Sequence, residues 1–223
     1  MTVILALPFR GRWLVQNSPA RRVPSHGVDV LGQRFAIDFV GVDDRGRTAT
    51  VVDWRTVLAT EPPERFVAFG RPLLAPAAGV VVQVHDGEED HAARRSQATL
   101  VPYALGAAAR LRQGVHAVAG NHVTIALGDG GPFVSLVHLR RGSLRVRVGD
   151  EVMLGQVLGG CGNSGNSTQP HVHLQVTDSA DLSVARGVPI AFRDFCEWRR
   201  GRDEPLDRVT GLPDESSVVG PLE

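Results

Sequence analysis

The segment 171–176, HVHLQV, alternates imidazole or amide side chains with aliphatic ones. Residues two apart in a strand share a face and lie about 7 Å from each other. His171, His173 and Gln175 therefore point one way, and Val172, Leu174 and Val176 the other. The aliphatic face requires a core to bury it. The imidazole face either meets solvent or, if covered, needs hydrogen-bond partners or a bound ion, because unpaired polar groups are costly to bury. The lead-in favours the covered alternative. A loop of Gly, Asn, Ser and Thr ending in Pro170 delivers the chain directly into the histidine strand, and such loops set side chains and backbone N–H groups at the mouth of a site.

The whole stretch 155–176, GQVLGGCGNSGNSTQPHVHLQV, resembles the closing motif of the lysostaphin-type (LytM-like) zinc metallopeptidases. These are bacterial peptidoglycan hydrolases in which a GxxGxSTxPHxHxxV-like segment carries one catalytic and one metal-binding histidine. Three other elements match more loosely. Residues 70–84, GRPLLAPAAGVVVQV, resemble the family's G-x-P-x-x-A-x-x-x-G-x-V element, and Gly120-Asn121 its GN-x-V element. His138-Leu139 match a Y-x-H-L-like strand in which Leu136 replaces the aromatic residue. The resemblance spans 23–176. It implies a mainly β fold, a twisted antiparallel sheet packed sandwich-like over a smaller one (the duplicated hybrid motif), with long loops forming a groove. Composition and turn spacing alone imply only a β-rich globular domain.

Around this region the chain divides into a lead-in with a first strand (1–22), the peptidase-like domain (23–177) and an extension (178–223). The domain carries an Ala-, Leu- and Arg-rich insertion at 92–118, whose composition suits a short helix or an irregular excursion. The extension has a helix-compatible stretch, FRDFCEWRRG at 192–201, followed by an acidic end with Pro and Gly that reads as poorly ordered. A length of 223 residues with 43% hydrophobic side chains is ample for a core. The formal net charge of zero argues against nucleic acid or an anionic membrane as partner, and no apolar run is long enough to span a bilayer. The two cysteines, Cys161 and Cys196, lack CxxC spacing and read as free, mostly buried thiols. The opening MTVILALPFRGRW has no basic n-region before its short apolar run. The expected location is therefore cytoplasmic, or extracytoplasmic by another export route. Nothing in the sequence indicates an oligomeric state.

Asp38 is unusual on its own terms, because an ionised carboxylate within the aliphatic strand FAIDFV (35–40) costs several kcal/mol unless paired, hydrogen-bonded or metal-bound. A salt bridge to Arg34 is one solution and metal ligation beside the HxH pair another. The family's first motif, HxxxD, would place a histidine at position 34, but Arg34 stands there and cannot bind zinc. The nearest upstream histidine is His26, in the loop VPSHGVDVLGQ. His26, Asp38 and His173 would make a three-ligand zinc site with an open position, the pattern of catalytic zinc. The resemblance assigns catalysis to His138 and His171, one taking a proton from water and the other holding the oxyanion or amine. It assigns metal to Asp38 and His173. His85, His91, His116 and His122 match no motif position and read as surface or structural, and Asp29 and Asp53 as solvated loop charges. The implied function is a zinc metalloendopeptidase acting on peptide or peptidoglycan. The alternative is a non-catalytic lysostaphin-like binding or regulatory domain with a degenerate metal site.

Overall fold

The computed structural model describes residues 1–201 and 204–222. Its strands are β1 (Val3–Leu5), β2 (Trp13–Gln16), β3 (Ile37–Gly41), β4 (Pro72–Leu74), β5 (Gly79–His85), β6 (Asn121–Ala126), β7 (Phe133–Leu139), β8 (Glu151–Val152), β9 (Val157–Gly160), β10 (Val172–Thr177), β11 (Ile190–Trp198), β12 (Leu206–Gly211) and β13 (Val218–Pro221). Four short helices complete it: α1 (Trp54–Leu58), α2 (Gln97–Leu105), α3 (Ala107–Arg112) and α4 (Val115–Ala119). The chain is thus mainly β, as its alternating runs predict, and α2 to α4 fall on the Ala/Arg-rich insertion.

An 11-stranded sheet runs in the order β1-β11-β13-β2-β3-β10-β7-β6-β5-β8, with β12 on β11, and β4 and β9 form a second, two-stranded sheet. Pairing is antiparallel except between β1 and β11, so the large sheet is mixed. The histidine strand β10 lies between β3 and β7, where both of its edges are satisfied and register is tightly specified. His173 stands opposite Asp38 on β3 and Val137 on β7.

The aliphatic residues of β10 are fully buried, as the alternation predicts, in a core that also contains Ile37 and Phe39 from β3. Behind Asp38 the aromatic side chains interlock. Phe9 stacks on Trp13 with ring centroids 4.5 Å apart, Phe39 meets Phe9 edge-on at 5.0 Å, and Phe192 meets Phe39 at 5.4 Å. Edge-to-face pairs of this kind contribute beyond the area they bury.

Phe192 corrects the sequence reading. The stretch 192–201, helix-compatible by composition, lies largely in β11, whose Ile190, Phe192 and Phe195 are buried. A local left-handed residue, Asp194 with φ of 55°, shifts the alternation so that both phenylalanines reach the core. The acidic end, expected to lack order, contributes β13, which pairs with both β11 and β2. Strand partners distant in sequence supply what local propensity does not. Glu197, fully buried on β11, accepts hydrogen bonds from Arg199 (3.1 Å) and from the backbone N–H of Asp214 (2.7 Å), tying the end of the chain down. No helix among the described residues is long and apolar enough to cross a membrane.

Because β11 shares the aromatic core with β3, Phe192→Ala is expected to cost about 3–5 kcal/mol of folding stability, the range for truncating a buried aromatic side chain. Urea unfolding checks this: the midpoint should fall while the slope stays constant.

Candidate metal centre and catalytic groove

Asp38 and His173 are direct cross-strand neighbours, so their side chains rise from one face at the spacing of an antiparallel pair. His173 Nδ1 lies 2.9 Å from Asp38 Oδ1. His26 reaches the same carboxylate from its loop, with Nε2 3.1 Å from Oδ2. The loop is pinned over β3 because the Ser25 N–H donates to Arg34 O (3.1 Å) and the Gly27 N–H to Pro24 O (3.0 Å). Asn17, beyond the end of β2, donates Nδ2–H to Asp38 Oδ2 at 2.7 Å. Arg34 is not a partner of Asp38; it pairs with Asp29 on the surface. Asp53, the other carboxylate read as a loop charge, caps α1.

Proton accounting shows what this cluster lacks. Gln175 donates its amide N–H to Leu31 O (2.8 Å), which turns its Oε1 toward His173 Nε2 (3.0 Å). Oε1 accepts only, so His173 carries its proton on Nε2 and, when neutral, turns a Nδ1 lone pair onto Asp38. Ser25 Oγ donates to Gln33 O (3.3 Å) and so accepts from His26 Nδ1–H (3.0 Å). A neutral His26 likewise turns its Nε2 lone pair onto the carboxylate. Two lone pairs facing one anion require protons or a metal cation between them. The ligand atoms of His26, Asp38 and His173 all lie within 4.8 Å of one another, so the donor set fits such an ion.

Burial would raise the pKa of Asp38. When these imidazoles carry a second proton, the charges of His26 and His171 and the hydrogen bonds then donated by His173 and His26 more than offset it and hold the carboxyl well below its usual range.

His138 and His171 face each other across the groove with ring centroids 4.8 Å apart. Strict alternation would put Val137, opposite His173, on the groove face and His138 on the other. A left-handed backbone at His138, φ 65°, breaks the alternation and swings its imidazole into the groove. His138 Nδ1–H donates to Ser164 O (2.9 Å) and His171 Nδ1–H to Gln169 O (2.8 Å), so each turns Nε2 away from these carbonyls, that of His171 lying 3.7 Å from Asp38 Oδ1. Burial, reinforced by nearby His171 and His173, lowers the pKa of His138 well below the imidazole range. The cleft enclosing these groups is about 210 Å³ and is closed on one side by Val118 and Ala119 at the end of α4.

All five site residues named from the sequence thus meet in one cleft. Asn17 and Gln175 were not singled out. Gln175 shares the imidazole face, a signal that was present. Asn17 reaches Asp38 only through the pairing of β2 with β3.

A mainly antiparallel sheet with a His/Asp cluster in a loop-walled groove defines the class, and comparison with known proteins defines the family. A profile of Peptidase family M23 matches residues 65–186; the chain belongs to that family, of the lysostaphin/LytM type, and so to a group of peptide-bond hydrolases. Solved structures similar to it include the catalytic domain of the antimicrobial peptidase lysostaphin from Staphylococcus simulans, with 19% identity, 80% of this chain and 88% of that chain covered and a TM-score of 0.39. Another is a variant of the catalytic domain of the prophage-encoded M23 protein EnpA from Enterococcus faecalis, at 21% identity, covering 64% of this chain and 94% of that chain, TM-score 0.36. A zinc-containing peptidase from Vibrio cholerae is 20% identical over 69% of this chain and 45% of its own, with a TM-score of 0.34. No curated protein matches.

The left-handed backbone at His138 has a measurable cost. His138→Gly should be more stable than His138→Ala by about 1–2 kcal/mol, because only glycine adopts that conformation freely. Equal urea midpoints for the two variants would show that the backbone there is not strained.

Proposed function

We propose that the protein is a zinc-dependent endopeptidase that cleaves peptide bonds, with the stem or cross-bridge peptides of bacterial peptidoglycan as its substrate class. The observation behind this reading is the convergence of His26, His173 and the buried Asp38, whose ligand atoms all lie within 4.8 Å of one another. That arrangement suits two nitrogen donors and one oxygen donor around zinc, with a further position open to water or substrate. His26, Asp38 and His173 would hold the ion. When bound there, zinc would polarise the scissile carbonyl and lower the pKa of attacking water. Peptidoglycan as substrate rests on the lysostaphin-type motifs at 120–121, 138–139 and 155–176.

The chain's own groups do the remaining work. Gln175 fixes the His173 ring and its tautomer, and Ser25 does the same for His26, the outer-shell support that metal-binding histidines usually have. Asn17 holds the carboxylate in place by donating to Oδ2, the oxygen that His26 also approaches. His138 and His171 present Nε2 into the groove. Between them they accept the proton of the attacking water and donate to the oxyanion or the departing amine. Val118 and Ala119 line the groove on its α4 side.

Elemental analysis of purified variants tests the ligands. Asp38→Ala, His173→Ala and His26→Ala should each reduce bound zinc by about one equivalent, and Gln175→Leu should weaken affinity about 10- to 100-fold. Full zinc retention in His26→Ala would move the third ligand elsewhere.

His138→Gln and His171→Gln should keep the metal and lose about 10²–10⁴-fold in turnover, measured on purified sacculi and glycine-rich peptides by mass spectrometry of new amino termini. If the wild-type protein binds zinc and generates no new termini from either substrate, the groove is a binding module and not a hydrolase.

A further inference from the structure

Three histidines outside the groove stack on one another. His85 on β5 and His122 on β6 are cross-strand partners, and His116 comes down from α4. The ring centroids of His85 and His116 are 3.9 Å apart, and each lies 5.6 Å from His122, with all three planes within 25°. They line a cleft of about 380 Å³ on the other side of α4, which shares Leu182 with the catalytic groove.

Two of the three rings have their protons assigned by partners that only accept. His122 Nδ1–H donates to Gly120 O (2.8 Å) and His85 Nε2–H to the Glu88 carboxylate (3.0 Å). Each therefore keeps its other nitrogen as a lone pair. A ring N–H held by a carbonyl or carboxylate is the arrangement that surrounds metal-binding histidines. His122 is buried with its Nδ1–H tied to Gly120 O, so Nε2 is the nitrogen left for a ligand, and it lines the cleft. Among the described residues lining the cleft there is no arginine, while Asp181 lines it and Glu88 sits beside it. This electrostatic setting disfavours an anion and suits a cation.

We infer that His85, His116 and His122 form a second site for a divalent transition metal of the zinc, nickel or copper type, for which imidazole is the suited donor. The stacked rings do not yet converge, since the trio whose ligand atoms lie within 4.8 Å is the one in the groove. His122 is held fast, whereas His116 is exposed and His85 half-buried, so the site requires both to turn about their side-chain bonds, His85 giving up its present Glu88 contact, to meet an ion at His122 Nε2. Such an ion would staple α4 to β5 and β6. Because α4 continues into Val118 and Ala119, it would brace the wall of the catalytic groove without entering it.

The test uses the full, tag-free chain, stripped with chelator and dialysed against zinc alone, with metal counted by elemental analysis and folding checked by circular dichroism. The wild type should hold about two equivalents per chain, and Asp38→Ala and the double variant His85→Ala/His116→Ala about one each. The three substitutions together should hold none. His122 is left in place because it is buried, whereas His85 and His116 are accessible and their removal spares the core. Unchanged metal in the double variant, or a wild type with one equivalent that Asp38→Ala abolishes, would overturn the inference and leave the groove site standing. A wild type with one equivalent that only the double variant removes would sustain this site and remove the other.

Discussion

The buried carboxylate of Asp38 is the interaction around which the rest of the structure is arranged. A lone carboxylate in a fully buried strand carries a desolvation penalty of several kcal/mol, and here it sits between Ile37 and Phe39, both wholly inaccessible. The fold meets that cost from three directions: His173 across the strand pair, His26 from an overhanging loop and Asn17 from the far end of β2. None of these partners brings a permanent charge. With those imidazoles neutral the cluster is one cation short, unlike the buried salt bridge of Glu61 with Arg95 elsewhere in the chain.

The opposite side of the groove depends on close backbone approach. Gly120, with φ of 62°, lies so near the 164–165 turn that a Cβ there would fall 2.5 Å from Ser164 Oγ, and one on Gly165 would fall 2.4 Å from Gly120 N. Only glycine permits both conformation and contact. The contact lets Ser164 Oγ accept from Asn121 N–H (3.0 Å) and donate to Leu139 O (2.8 Å), which in turn positions the Ser164 carbonyl that orients His138. The insertion joins the same network. Tyr103 donates to Gly165 O (3.1 Å), Arg110 to Asn166 Oδ1 (2.7 Å), and His91 Nε2 lies 2.8 Å from Gly165 O. The helical excursion is therefore built into the wall of the site, and groove shape is coupled to it.

The period-two run at 171–176 and the carboxylate in FAIDFV carried most of the legible information, since side-chain alternation in a strand and the cost of burying charge are local properties. From these alone the strand, its buried face and the polar purpose of its other face followed, and the motif resemblance added the antiparallel fold and the roles expected of His138 and His171. The Ala and Leu content of 92–118 leaves a short helix and an irregular excursion both open, and the chain forms α2 to α4 there. The same local logic misread 192–201, because the burial of Phe192 and Phe195 is imposed by strands from the two ends of the chain.

Sequence by itself determined that one face of β10 is polar and the other needs a core, that a buried Asp38 needs partners, and that Arg34 cannot be a ligand. Tertiary structure decided that the His26 loop folds back to Asp38, how His138 turns from the core side to the groove, and that three further imidazoles stack beside α4. The division has a physical cause. Alternation and charge act between residues close along the chain, whereas the position of His26 over β3, the register of β5 with β6 and the packing of glycine against glycine exist only once distant strands have paired.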